Sequence, residues 1–322
     1  MGTARVVFDR WSGRYSKRMA DVRSSAVRDL FAAATRPDMI SFSGGMPEIR
    51  RVPIDSVIAA TSAALRDSGT EALQYGSSEG RVQIRDVVVS LMAEVGVRVK
   101  HDSLVVTAGA QQALDLMAKI FIDPGDTIIC EGPTYLGALQ AFSAYQPNVV
   151  CIPMDAEGMR TDLLAEELKR LGPRGAKFIY TIPNFQNPAG VTLTPQRRRE
   201  LLDLAREYDI PVIEDDPYGR LRFEGGHALP LRALDEDVIY LGTFSKIFAP
   251  GLRLGWVIAP RPILAKFLLA KQAADLCGSA FAQTCAERYF ADTRWRKVLQ
   301  DLTHAYAERR DAMIEALAEH FP

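Results

Sequence analysis

From about residue 104 the chain alternates short β-branched runs with helical stretches, and no other feature narrows the possible folds so far. The run 104–107 is followed by a helical pattern from Gln111, the run 127–130 by one from Tyr135, 148–153 by one from Thr161, and 177–183 by one from Thr194, before 211–216 closes the series. Strands spaced by helices in this way form βαβ units, whose crossovers make neighbouring strands run parallel. The expected fold class is therefore α/β, with a mostly parallel central sheet and helices on both faces. Thr194 as a cap and Pro195 at the first helical position mark the sharpest boundary in the chain. Two further strands, in 237–243 and 252–259, flank the loop 244–251, and after Pro262 the pattern is helical almost to the end.

Composition removes several classes of function. With 39 Lys and Arg against 40 Asp and Glu, the net charge of −1 offers no basic excess for nucleic acid or an anionic membrane. Four cysteines without CxxC spacing suggest neither a zinc ribbon nor a disulfide scaffold, so no metal site is expected and a reduced, cytoplasmic setting is. No uncharged apolar run is long enough to span a bilayer, and the first residues contain no apolar signal core, so a soluble protein is expected. A length of 322 residues points to about two domains. Residues 1–50 read as an arm and the start of a small domain, with a short helix in 24–34 capped by Ser24 or Ser25. Residues 51–275 read as the large domain, and 276–322 as the helical start of a truncated C-terminal domain.

Lys246 stands between two apolar strands, with Thr243 and Ser245 before it and Arg253 seven residues after. Hydroxyls and a guanidinium beside an amine suit a phosphate monoester whose aldehyde the amine captures as a Schiff base. Pyridoxal 5′-phosphate has that chemistry. Its pyridine nitrogen needs a carboxylate at a strand end to remain protonated. Asp215 is the choice, with Asp216 as the competing carboxylate, and Tyr218, three residues on, is placed to reach the ring's phenolic oxygen. Asn187, in the turn after 177–183, can donate its amide to the same oxygen. Gly109, Ala110 and Gln111 lie between a strand and a helix, where free N–H groups make an anion site. Tyr135 is an aromatic candidate for stacking on the ring.

The segments TFSK with APGLRLG, EDDPYG, PNFQNPAG, GAQQALDL, EGPTY and LQYGSSEG together resemble the class I/II, fold type I, pyridoxal-phosphate-dependent aminotransferases. The region SSAVRDL…ISFSGGMPE is similar to the subgroup of 2-aminoadipate and kynurenine aminotransferases and the effector domains of MocR-type regulators. The resemblance runs from about residue 15 to the end of the chain and implies an amino-group transfer between an L-amino acid and a 2-oxo acid such as 2-oxoglutarate. It implies that Lys246 carries the cofactor and moves the proton, that Asp215 pairs with the ring nitrogen, and that Asn187 and Tyr218 bind the phenolic oxygen. Tyr135 would stack, and Ala110 and Gln111 N–H groups, Thr243, Ser245 and Arg253 would hold the phosphate. Tyr75 resembles the tyrosine that crosses a homodimer interface to the partner's phosphate, while Gly45 and Arg28, with Asn187, match positions near the substrate. Ala110 replaces a serine common in the family, and the chain ends before the segment that supplies the family's carboxylate-binding arginine. Two other readings share these motifs: lyase-type chemistry on the same cofactor, and a non-catalytic sensor related to the MocR effector domain.

Overall fold

The structure, a computed structural model, describes residues 9–19, 38, 45–226, 228–292 and 294–321. The described helices are α1 (Ile54–Ala72), α2 (Val82–Glu94), α3 (Ala110–Phe121), α4 (Leu136–Ser143), α5 (Thr161–Leu171), α6 (Pro195–Glu207), the single turn α7 (Leu231–Leu234), α8 (Arg261–Asp275), α9 (Ala280–Phe290) and α10 (Arg294–His320). The strands are β1 (Leu104–Thr107), β2 (Thr127–Gly132), β3 (Asn148–Asp155), β4 (Gly158–Met159), β5 (Ile179–Thr181), β6 (Val212–Asp215), β7 (Ile239–Thr243) and β8 (Gly255–Ile258). They form one eight-stranded sheet in the order β1-β8-β7-β6-β5-β2-β3-β4. Pairing is parallel from β7 through β3, whereas β8 is antiparallel to both β1 and β7, and β4 is an antiparallel hairpin partner of β3.

Side chains alternate across a strand, and the cores record it. Val105, Ile128, Cys130, Tyr180, Ile213, Ile239, Leu241 and Val257 face one way and pack with Leu114, Met117, Phe142 and Phe267 from α3, α4 and α8. Ile129, Ile179 and Val212 face the other way onto Leu164, Leu168, Leu201 and Leu202 of α5 and α6. Leu104, Val106, Tyr240 and Trp256 continue that second face against α2 and α9 through Val88, Leu91, Ala286 and Phe290. Helices thus cover both faces, as a mostly parallel sheet requires. Thr194 caps α6, its hydroxyl accepting the Arg197 N–H at 3.4 Å ahead of Pro195. α9 packs on α1 and into the core of Phe244 and Trp256. The helix expected in 24–34 lies outside the described residues. Among the described residues no helix is long and apolar enough to cross a membrane.

Candidate active site

Strand direction collects the site. β1, β7, β6, β5, β2 and β3 share one sense, so their carboxyl ends open on a single edge, where ligands bind in open α/β sheets. β8 runs against them, so the residues that enter it start from that same edge. The loops there carry Gly109 to Gln111 after β1, Tyr135 after β2, Asn187 after β5, Tyr218 after β6, Ser245 and Lys246 after β7, and Arg253 just before β8.

Alternation along β6 separates the three acids of 214–216. Asp215 shares the face of Ile213, with its side chain only 3% exposed. The Tyr180 hydroxyl donates to its Oδ2 at 2.8 Å, while its Oδ1 is buried without a partner among the described residues. Burial raises this carboxyl to about 7, with the Tyr180 hydrogen bond pulling it down and the Asp216 and Glu131 charges adding to the rise. Glu214 points the opposite way and accepts the Leu231 and Arg232 N–H groups, both at 2.9 Å. Asp216 is engaged in local structure: it accepts from Asn184 Nδ2 and the Gly219 N–H, both at 3.0 Å, and from the Tyr240 hydroxyl at 3.1 Å. Of the two carboxylates the sequence leaves in competition, Asp215 alone retains an unmatched oxygen.

Two phenols lie within the field of Asp215. Tyr218 hydrogen-bonds Asn187, and its hydroxyl is pushed up to about 12, first by burial and then by Asp215 and Tyr135. Tyr135, at the cap of α4, is raised by burial and by Asp215 and lowered by Arg253, so it lies within the field of both. The Lys246 amine stands 5.8 Å from the Tyr218 ring centroid. Burial lowers its pKa, and Arg253 lowers it further.

An anion cradle adjoins the amine. Gly109 caps α3 at φ +77° and offers no side-chain cap, so the first N–H groups of the helix, at Ala110 and Gln111, look outward. A Cβ on Gly109 would stand 2.7 Å from Arg253 Nη2, which shows how closely the guanidinium lies over this turn. The Thr243 hydroxyl lies 3.0 Å from Ser245 Oγ and 3.3 Å from Leu254 O and accepts the Ser245 N–H at 3.1 Å, which fixes both hydroxyls beside the amine. Gln111 uses its side chain to bond Gly137 O at 2.8 Å, so only its backbone N–H is offered to the cradle.

Two of the expected residues, Tyr75 and Gly45, enter none of the contacts above. Tyr75 is 79% exposed on the single chain. Gly45 has φ +54°, and the segment after it is tied to α10, where Tyr306 Oη accepts the Glu48 N–H at 2.9 Å. Arg28 lies outside the described residues. Tyr180 is the residue the sequence reading missed; its signal was a tyrosine inside a buried apolar run, where a hydroxyl must find a partner.

Residues 37–321 match the family model described as aminotransferase class I and II. The chain is 43% identical to aromatic-amino-acid aminotransferase 1 of Thermococcus litoralis, over 96% of this chain and 75% of that protein. It superposes on the kynurenine aminotransferase of Pyrococcus horikoshii with a TM-score of 0.91 at 42% identity, covering 97% of this chain and 78% of the other. The alpha-aminoadipate aminotransferase of Thermus thermophilus, solved with N-(5′-phosphopyridoxyl)-L-leucine, gives 0.88 at 34%, covering 97% and 78%.

Proposed function

Since this chain belongs to the class I and II aminotransferases and is a pyridoxal-phosphate-dependent transaminase, we propose that it moves the amino group of an aromatic or 2-aminoadipate-type L-amino acid to a 2-oxo acid such as 2-oxoglutarate. The observation that carries the residue assignments is the Oδ1 of Asp215, buried and without a partner among the described residues, on the strand edge that also holds Lys246 and the α3 cradle. A buried acceptor without a donor is costly, and a protonated pyridine nitrogen is the donor it lacks. The donor set at this edge fits the cofactor group by group.

In this reading Arg253, the Ala110 and Gln111 N–H groups, Ser245 and Thr243 hold the phosphate, Asn187 and Tyr218 hold the phenolic oxygen, and Tyr135 covers one face of the ring. Bound there, pyridoxal phosphate supplies an aldehyde to the amine and a cationic ring that takes up the electron pair left at the substrate carbon. Asp215 keeps the ring nitrogen protonated, and Tyr180 keeps Asp215 in place. Lys246 is desolvated and lies in the field of Arg253, so its amine is more readily neutral at working pH and could accept the proton from the substrate's Cα and deliver it to C4′ of the cofactor. Residues 51–275 would bind the cofactor, and residues 276–322 would belong to the smaller domain, with α9 packed on α1. Tyr75, exposed beside Leu73, would complete the phosphate site of a second copy in a homodimer with shared sites. The four free cysteines suit the cytoplasm.

An amino-donor screen tests the reaction. Aromatic amino acids or 2-aminoadipate should convert the visible band of the loaded protein to that of the amine form, and 2-oxoglutarate should restore it. A lysine-bound cofactor that no donor converts would make the protein a sensor instead.

A further inference from the structure

Glu131, at the end of β2, is a buried acid that the catalytic reading leaves unused. Its side chain is 2% exposed. It accepts the Thr181 hydroxyl at 2.5 Å, the Ile182 N–H at 3.2 Å and 3.3 Å, and Gln186 Nε2 at 2.9 Å. Gln186, equally buried, also donates from Nε2 to Pro133 O at 2.9 Å and accepts the Ala189 N–H on Oε1 at 2.9 Å. Both amide hydrogens and the carbonyl oxygen of this one side chain are therefore engaged.

These bonds join two loops that approach the cofactor site from different strands. Pro133 lies two residues before Tyr135, and Ala189 lies two residues after Asn187. The same turn contains Phe185 at φ +50°, a left-handed conformation unfavourable for an aromatic residue, so the backbone beside Asn187 is held where it would not rest alone. The Gln186 N–H bonds Val191 O at 2.8 Å and pins the turn from the main chain as well.

We propose that Gln186, clamped on Glu131, is a positioning residue that fixes the Asn187 amide and the Tyr135 ring relative to one another, so that a flat ring meets both. It acts through Asn187 and touches neither substrate nor cofactor. The inference rests on the proposed role of Asn187 as donor to the cofactor's phenolic oxygen. When that donation weakens, the oxygen holds the proton it shares with the Lys246 nitrogen more tightly, and the pH midpoint of the visible band rises.

The test titrates the cofactor-loaded wild type, Gln186→Leu, Asn187→Ala and the double variant by visible absorption. Asn187→Ala should raise the midpoint, and Gln186→Leu should raise it by about half of that shift or more, while adding nothing in the Asn187→Ala background. An equal Gln186→Leu shift in both backgrounds would overturn the proposal, because the effect would then bypass Asn187. No shift in Gln186→Leu beside a clear one in Asn187→Ala would overturn this proposal alone. No shift in Asn187→Ala would overturn the assignment of Asn187 and this inference with it. Gln186→Leu leaves a buried carboxylate short of a donor, so Glu131→Gln is run beside it as the milder variant, judged by the same outcomes, with thermal melting of each protein reporting folding separately.

Discussion

Replacing Asp215 with Asn should make the cofactor-free protein more stable at alkaline pH while nearly abolishing its chemistry. Burial lifts the folded carboxyl from its ordinary 3.8 to about 7. Below the ordinary value both folded and unfolded chains are protonated, so the group carries no penalty. Between the two values the folded chain must hold a proton that the unfolded chain releases, and above the higher one the charged carboxylate is buried at full cost. About three units at about 1.36 kcal/mol each put that cost near 4 kcal/mol. Asn removes it, keeps an oxygen for the Tyr180 hydroxyl and leaves an unpaired buried amide worth about 1 to 3 kcal/mol against it. The net expectation is a gain of roughly 1 to 3 kcal/mol above the folded value, turning into a loss of similar size near the ordinary one. Urea unfolding of both cofactor-free proteins across pH reads this directly. With pyridoxal phosphate the order should reverse, because the cationic nitrogen then partners Oδ1, and the half-reaction of the variant should slow by orders of magnitude. A stability difference that does not change with pH would refute the assignment of a strained, waiting carboxylate to Asp215.

Gly109→Ala should weaken phosphate binding, because its Cβ would stand 2.7 Å from Arg253 Nη2 at a backbone φ of +77°. The variant should lose most of the preference for pyridoxal phosphate over pyridoxal, measured as the ratio of dissociation constants. Tyr75→Phe should loosen the cofactor by about 1 to 3 kcal/mol, as expected for a hydrogen bond to a charged group. The loss should disappear on dilution to monomer, which equilibrium binding at falling protein concentration would show.

The alternation of strand and helix from residue 104 was legible because β-branched runs and helical periodicity differ in kind, and Thr194-Pro195 marked the start of α6. Strand direction was less so. Nothing in the residues of β8 distinguishes an antiparallel strand from a parallel one, yet that reversal is what brings Arg253 to the edge shared with Lys246. Asp215 could be separated from Asp216 in sequence only by parity along an extended strand; the structure adds the Asn184, Gly219 and Tyr240 contacts that occupy Asp216. The partners of Tyr180, Glu131 and Gln186 were not legible because they are distant in sequence, with 35, 50 and 55 positions separating Tyr180 from Asp215, Glu131 from Thr181 and Glu131 from Gln186. The closeness of Gly109 to Arg253 is likewise a property of the folded edge, not of either loop.

The proposed function stands on this edge binding pyridoxal phosphate with Lys246 as its covalent anchor. Borohydride reduction of the reconstituted protein followed by peptide mapping tests it most directly. One pyridoxyl-modified lysine, Lys246, is expected, with no labelled lysine in Lys246→Ala. A label on another lysine of the native protein, or a lysine adduct that survives in Lys246→Ala, would contradict it.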